Sequence, residues 1–281
     1  MNRRIIARLD IKGPNLVKGI HLEGLRVLGK PEDFARYYYE NGIDELLYSD
    51  TVASLYGRNS LHDIITRTAG EIFIPLTVGG GIRSIKDIRN VLRAGADKVA
   101  INTAFIKNPG LIKEAAQIFG SSTIVAAIEA IEQAPGEYMA LIDNGREYTG
   151  KDAVAWAGQL EQYGAGEILI TSVNKEGTGL GFDTRLISKV SDVVNIPVIA
   201  HGGCGRLEHI NAAFKDGRAD AVALASILHY DYIKDHNKTS GFEKEGNIEF
   251  LKNGRDLSTI DSTTIDKIKK YLMINKTQCR I

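Results

Sequence analysis

The chain has only two cysteines, Cys204 and Cys279, in 281 residues. Two are too few for a disulfide framework, and such sparse use points to a reducing compartment. There is no net charge: 35 Lys and Arg balance 35 Asp and Glu. That leaves no field to draw nucleic acid or an anionic membrane, and neither is expected as a partner. There is no long apolar run. Met1 to Asp10 carries two early arginines and an apolar stretch far too short for a signal peptide or a membrane span, so a cytoplasmic protein is expected. There is no metal-ligand spacing. His21, His62, His201, His209, His229 and His236 form neither an HxH nor an HExxH pattern. No metal and no cofactor are implied.

What the chain does have is internal repetition. Ile74-Pro75-Leu76-Thr77-Val78-Gly79-Gly80-Gly81 returns as Ile196-Pro197-Val198-Ile199-Ala200-His201-Gly202-Gly203, offset by 122 residues. Gly42-Ile43-Asp44-Glu45-Leu46-Leu47 returns as Gly164-Ala165-Gly166-Glu167-Ile168-Leu169, and Ala94–Ala100 as Asp216–Val222, at the same offset. One structural half is used twice. Short apolar runs alternate with longer amphipathic stretches, the mark of βα units around a parallel sheet. The runs are Arg4–Asp10, Glu45–Asp50, Phe73–Val78, Lys98–Asn102, Thr123–Glu129, Glu167–Ser172, Pro197–His201 and Ala221–Ala225, four per repeat. The length suits one barrel and allows a large core. The expected fold is α/β: a single (β/α)8 TIM barrel over residues 1–281, built from two duplicated half-barrels.

Helical spacing runs through Lys30–Glu40, Ile85–Ala94 and Asp152–Tyr163, the first opened by Pro31-Glu32-Asp33. Two stretches exceed a bare barrel. Tyr138–Thr149 holds Asp143-Asn144-Gly145 between strand-like residues, a hairpin signal in the loop after strand five. Tyr232–Ser258 is polar and reads as an insertion after strand eight, followed by a last helix at about Ser262–Ile274.

A barrel of this kind carries its chemistry at the C-terminal strand ends. Strand one ends in Asp10 and its repeat partner, strand five, in Glu129; two facing carboxyls can divide general acid and base work. Strands three and seven end in Gly79-Gly80-Gly81 and Gly202-Gly203. Strands four and eight end in Asn102-Thr103 and Ala225-Ser226. Glycines admit an anion close to backbone amides, and a helix start completes a phosphate cradle. Two such sets suggest a substrate with a phosphate at each end. Loop six, with Gly177 and Thr178, has the composition to fold over a ligand. The loop Ile11–Lys30 reads as a flexible lid carrying Lys18, a phosphate-seeking or a solvated lysine. His201 beside the glycines is placed to touch substrate or to pack under the turn. At the opposite strand ends, Arg4, Glu45, Lys98 and Glu167 can form a salt-bridged ring, a stabilising plug on residue pattern alone.

Together these residues resemble the HisF family, the cyclase subunit of imidazole glycerol phosphate synthase, from about Arg3 to Tyr230 and again near the last helix. The pieces that carry the likeness are Leu9-Asp10 with Val17-Lys18-Gly19, Gly42–Leu46, Leu76–Arg83, Gly95–Val99 and Gly164–Leu169. The resemblance implies a HisH-like glutaminase docked under the barrel as partner. It implies that Arg4, Glu45, Lys98 and Glu167 are an ammonia gate rather than a plug. At the top, ammonia would attack a bis-phosphorylated ribulosyl aminoimidazole, giving imidazole glycerol phosphate and an aminoimidazole carboxamide ribotide, a lyase step of histidine biosynthesis. Asp10 matches one of two catalytic aspartates and Lys18 the loop lysine; the phosphate-site residues match as well.

The catalytic end departs from the family. Glu129 stands where the second aspartate is usual, displacing the carboxyl by roughly an ångström, enough to cost about 100-fold where geometry is tight. Asn174 and Glu176 replace aspartates, and Arg8 and His201 replace small residues. This pattern opens a second reading: a HisF-like paralogue of a surface-polysaccharide cluster, passing ammonia to a sugar-aminating or amidinating enzyme. A third, an isomerase of the related HisA type, shares the duplicated barrel but needs no ammonia, and the intact ring argues against it.

Overall fold

The computed structural model describes residues 2–53, 61–236 and 258–280. Eight parallel strands close into a barrel. Strand one is Arg4–Lys12, two Glu45–Asp50, three Leu76–Gly79, four Lys98–Ile101, five Ile124–Ala134, six Glu167–Ser172, seven Val198–His201 and eight Ala221–Leu224. Strand one pairs with both two and eight, and strand five pairs with six, so no edge of the ring is left open. This is the (β/α)8 barrel expected. Strand three starts at Leu76 rather than Phe73, because Pro75 cannot donate to a ladder and Phe73 stands in solvent.

The two-residue strand period sorts the side chains. In strand one, Ile5, Ala7, Leu9 and Ile11 pack outward against the helices. Ile6 points inward, into a layer with Leu47, Ala100, Val125, Leu169, Ile199, Ala221 and Ala223. Arg4, Arg8 and Asp10 share that inward parity.

The repeat is visible in the register. Asp10 lies beside Ser49 of strand two, and Glu129 beside Thr171 of strand six; Ser49 and Thr171 are themselves offset by 122 residues. Glycines repeat too. A side chain on Gly80 (φ 96°) would run into the carbonyl of Asp50, and one on Gly202 (φ 98°) into that of Ser172. Three aspartates below the barrel hold strand starts: Asp44 accepts from the Ile5 N–H at 2.7 Å, Asp97 from Leu76 at 2.8 Å and Asp220 from Val198 at 3.0 Å.

Helices begin where the sequence caps them. Ser84 caps Ile85–Arg93, Asp152 caps Ala153–Gln162 and Thr264 caps Ile265–Ile274, each side chain accepting from a first-turn amide. Pro31 opens Pro31–Glu40.

The flexible lid read over Ile11–Lys30 is instead an antiparallel hairpin, Asn15–Ile20 against Glu23–Gly29, laid on strand one. Its backbone groups find partners in each other rather than in water, which gives the segment order. A second hairpin occupies the matching place in the other half, Glu137–Ile142 against Glu147–Asp152. Asp143 and Asn144 at positive φ form its turn, as expected. Tyr232–His236 belongs to the helix Ser226–His236 and not to an insertion; the rest of the polar stretch, 237–257, lies outside the described residues. Among the described residues no helix is long and apolar enough to cross a membrane.

The last helix is tied to the barrel by Lys269, whose ammonium lies 2.8 Å from Asp44. Asp44→Ala strands both the Ile5 amide and this ammonium. It is expected to cost about 2–4 kcal/mol in urea unfolding, with Asp44→Asn losing less because its amide oxygen still accepts from Ile5.

Candidate active site

Both ends of the barrel interior are charged. At the floor, Arg4 sits 2.8 Å from Glu45 and 3.1 Å from Glu167, and Lys98 lies 2.6 Å from Glu167 and 3.5 Å from Glu45. The four residues form the ring expected, each cation shared by both glutamates. Partial burial strengthens such pairing, and the two glutamates hold the Arg4 guanidinium above its ordinary value.

At the mouth, Arg8 Nε donates to Asp10 Oδ1 at 2.8 Å, and Lys18 Nζ stands 3.8 Å from Asp10 Oδ2. Burial opposes ionisation of Asp10, but Arg8 and then Lys18 overcome it and hold the carboxyl below its usual range. Lys18 also ion-pairs with Glu176, whose other oxygen accepts from the Leu22 N–H at 2.8 Å. Lys18 is therefore neither solvated nor reaching freely into a binding site: two carboxylates bury it.

Glu129 is differently placed. Its Oε2 accepts from the Gly145 N–H at 2.7 Å, and burial pushes its pKa up to about 7. The hairpin turn at Asp143–Gly145 thus serves the site directly, its positive-φ backbone aiming an amide at the carboxyl.

Glu129 lines a cavity of about 280 Å³ together with Gly80, Gly81, Asn102 and Thr103. Arg8, Thr171, Arg83 and Lys107 complete its charged and polar wall. The first-half set thus comes together as expected. The second-half set does not join this cavity. Gly202 and Gly203 are buried against loop six, where Gly181 N–H donates to Gly203 O at 2.7 Å, and Ala225 and Ser226 are buried as well. Loop six is held from outside by His21 N–H on Glu176 O at 3.0 Å and by Thr259 Oγ1 on Thr178 O at 2.7 Å. Gly177 and Thr178 are part of this cover.

Polar atoms at the mouth still lack partners: Asn102 Oδ1, Ser172 Oγ and His201 Nε2 are buried without a hydrogen bond. They crown strands four, six and seven, where a polar ligand would satisfy them. His201 is neutral, driven well below its usual value first by burial and then by Arg8, and its Nδ1–H donates to Ala223 O at 2.9 Å. It packs at the strand end with one nitrogen still able to accept. Burial pushes the Cys204 thiol far up, which makes it inert.

Three further residues contribute, two of which, Arg8 and Glu176, stand out in the sequence only as departures from the family pattern. Arg8 enters the site because it stands two residues before Asp10 on one strand face, a period the sequence displays. Glu176 as partner of Lys18, and His229 donating to the Arg8 carbonyl at 3.0 Å, join residues 158 and 221 positions apart and leave no local trace.

A duplicated barrel with an ion-paired floor, an apolar interior and a mouth bearing two carboxyls is the frame of a small-molecule synthase. Residues 4–234 match the family model described as histidine biosynthesis protein. The chain is 60% identical over 210 residues to the imidazole glycerol phosphate synthase subunit HisF of Legionella pneumophila, covering 75% of this chain and 99% of that protein. It is 48% identical over 249 residues to the subunit of the same name in Methanocaldococcus jannaschii, covering 82% and 92%. The chain belongs to the HisF family of histidine biosynthesis proteins.

The raised Glu129 has a consequence for stability. Between the ordinary 4.5 and about 7 the folded chain keeps a proton that the unfolded chain has released, so stability falls as pH rises through that window. Glu129→Gln removes the penalty. Its melting temperature is expected to exceed that of the parent by several degrees at about pH 8.5, the gap closing near about pH 5.

Proposed function

We propose that this chain is the cyclase subunit of a glutamine-dependent imidazole glycerol phosphate synthase. It receives ammonia from a HisH-like glutaminase and joins it to a bis-phosphorylated ribulosyl aminoimidazole. The observation that carries the reading is the pairing of an intact charged ring at the floor with two carboxyls at repeat-equivalent places at the mouth.

The geometry suits each step. The ring is built of side chains whose ion pairs can exchange, so a small neutral molecule can pass without stranding a charge. Above it the interior is apolar, and four alanines, Ala100, Ala127, Ala221 and Ala223, narrow its bulk. Ammonia fits such a path; ammonium, which would lose its hydration, does not. At the mouth, Gly80, Gly81, Asn102 and Thr103 offer amides and polar side chains to one phosphate. Lys18, Gly177, Thr178, Gly202, Gly203, Ala225 and Ser226 serve the other once loop six and the first hairpin part. Asp10 and Glu129 flank the reacting atoms.

The glutaminase would dock on the floor face, under the charged ring; Phe73, just before strand three, and Ile274, at the end of the last helix, are 82% and 80% exposed. The relatives bear the synthase name, and the alternative of a conduit to a sugar-modifying enzyme is not favoured.

An absorbance assay with the ribulosyl aminoimidazole and a high ammonium concentration at alkaline pH tests the reading. Turnover is expected, and it should vanish in Asp10→Asn; binding without turnover in the parent chain would refute the cyclase role. Lys98→Ala should lower glutamine-driven turnover, measured with the glutaminase present, about tenfold more than ammonium-driven turnover. Equal losses would count against the gate.

A further inference from the structure

Arg8 reaches both halves of the mouth. It rises from strand one in the inward column of Arg4 and Ile6, and is only 5% exposed. Its Nε holds Asp10, while Nη1 extends to Thr171 Oγ1 at 3.5 Å on strand six. Thr171 is the register partner of Glu129. Each oxygen of Asp10 therefore faces a buried cation, Arg8 on one side and Lys18 on the other, and Asp10 is 3% exposed. Glu129 lines the cavity and accepts from a single backbone amide.

We propose that Arg8 is a positioning residue that divides the work of the two carboxyls, holding Asp10 as a permanent counter-anion and leaving Glu129 as the proton carrier. The chemical role rests on the cyclase reading; the division itself is a property of the free chain. A carboxylate gripped by two buried cations does not take up a proton near neutrality. Its use is electrostatic, stabilising positive charge on the nitrogen that ammonia brings. Glu129, in contrast, exists in both forms near neutral pH, where a proton carrier is most effective. When the carbinolamine formed by ammonia collapses, neutral Glu129 gives its proton to the departing hydroxyl, which leaves as water as the C–O bond breaks. The C=N bond forms, and the Glu129 carboxylate takes a proton back from nitrogen.

The surroundings of each group support the division. Glu129 faces Arg8 from strand one, the Asn102 side chain at the end of strand four, and Asp143 and Gly145 from the second hairpin. Asp10 faces Arg8 on its own strand, Lys18 from the first hairpin and His201 from strand seven. Glu176 of loop six lies behind Lys18. Arg8 itself is tied from below, since its carbonyl accepts from His229, whose other nitrogen accepts from the Tyr38 hydroxyl at 2.6 Å.

The test is a carbon-13 NMR titration of the free chain, its Asp and Glu carboxyls labelled, from about pH 5 to about pH 9. Glu129→Gln and Asp10→Asn assign the signals. Glu129 is expected to titrate inside this window while Asp10 stays ionised throughout. Arg8→Met, which keeps the apolar stem, should raise both titrations; Arg8→Lys should keep Asp10 ionised. The pH limb of ammonium-driven turnover should follow the Glu129 titration and move with it in Arg8→Met. Titration of Asp10 inside the window, or Glu129 ionised across all of it, would overturn the proposal. Arg8→Met leaving both signals in place would overturn it as well. Expected titrations without any turnover would leave the division standing and remove the cyclase reading.

Discussion

A closed ring of parallel strands gives each side chain one of two directions, and the inward one leads into a space with almost no water. In strand one that rule stacks Arg4, Ile6, Arg8 and Asp10 in a single column. Charge stands at the floor and at the mouth, with an apolar layer between. A buried charge is costly unless it is paired, so each end has to assemble its own counter-ions from distant strands. The floor answers Arg4 and Lys98 with Glu45 and Glu167. The mouth answers Arg8 and Lys18 with Asp10 and Glu176. The rest of the site is arranged around these two pairings.

The duplication supplies the frame, and its breaking supplies the chemistry. Register places Asp10 and Glu129 at equivalent points, yet their neighbours differ. Arg8 stands beneath Asp10, whereas Ala127 occupies the matching place beneath Glu129. One carboxyl is gripped by two buried cations and the other is held mainly by neutral groups, the Gly145 amide and the Asn102 side chain, so twin positions acquire opposite proton affinities. The glycine turns diverge in the same way. In the first half they open on a cavity; in the second, loop six, the first hairpin and Thr259 close over them.

Much of this was legible in the chain. The eight strands, the two-half construction and the floor ring could be read because repetition and strand period are local patterns. The second hairpin could be read because Asp143-Asn144-Gly145 demands positive φ. The first hairpin could not: Ile11–Lys30 lacks a comparable turn, and His21 and Leu22 enter positive φ only because His21 N–H and the Leu22 amide are held by Glu176. The pairing of Lys18 with Glu176 was hidden for the same reason, its partner lying on loop six.

The sequence by itself determined the barrel, the parity of its strands and the residue types at each strand end, since these follow from spacing and backbone sterics. Which charges meet was decided only by the tertiary structure. Ion pairing and proton affinity depend on distance and dielectric, and closing the barrel sets both by bringing together residues far apart in the chain.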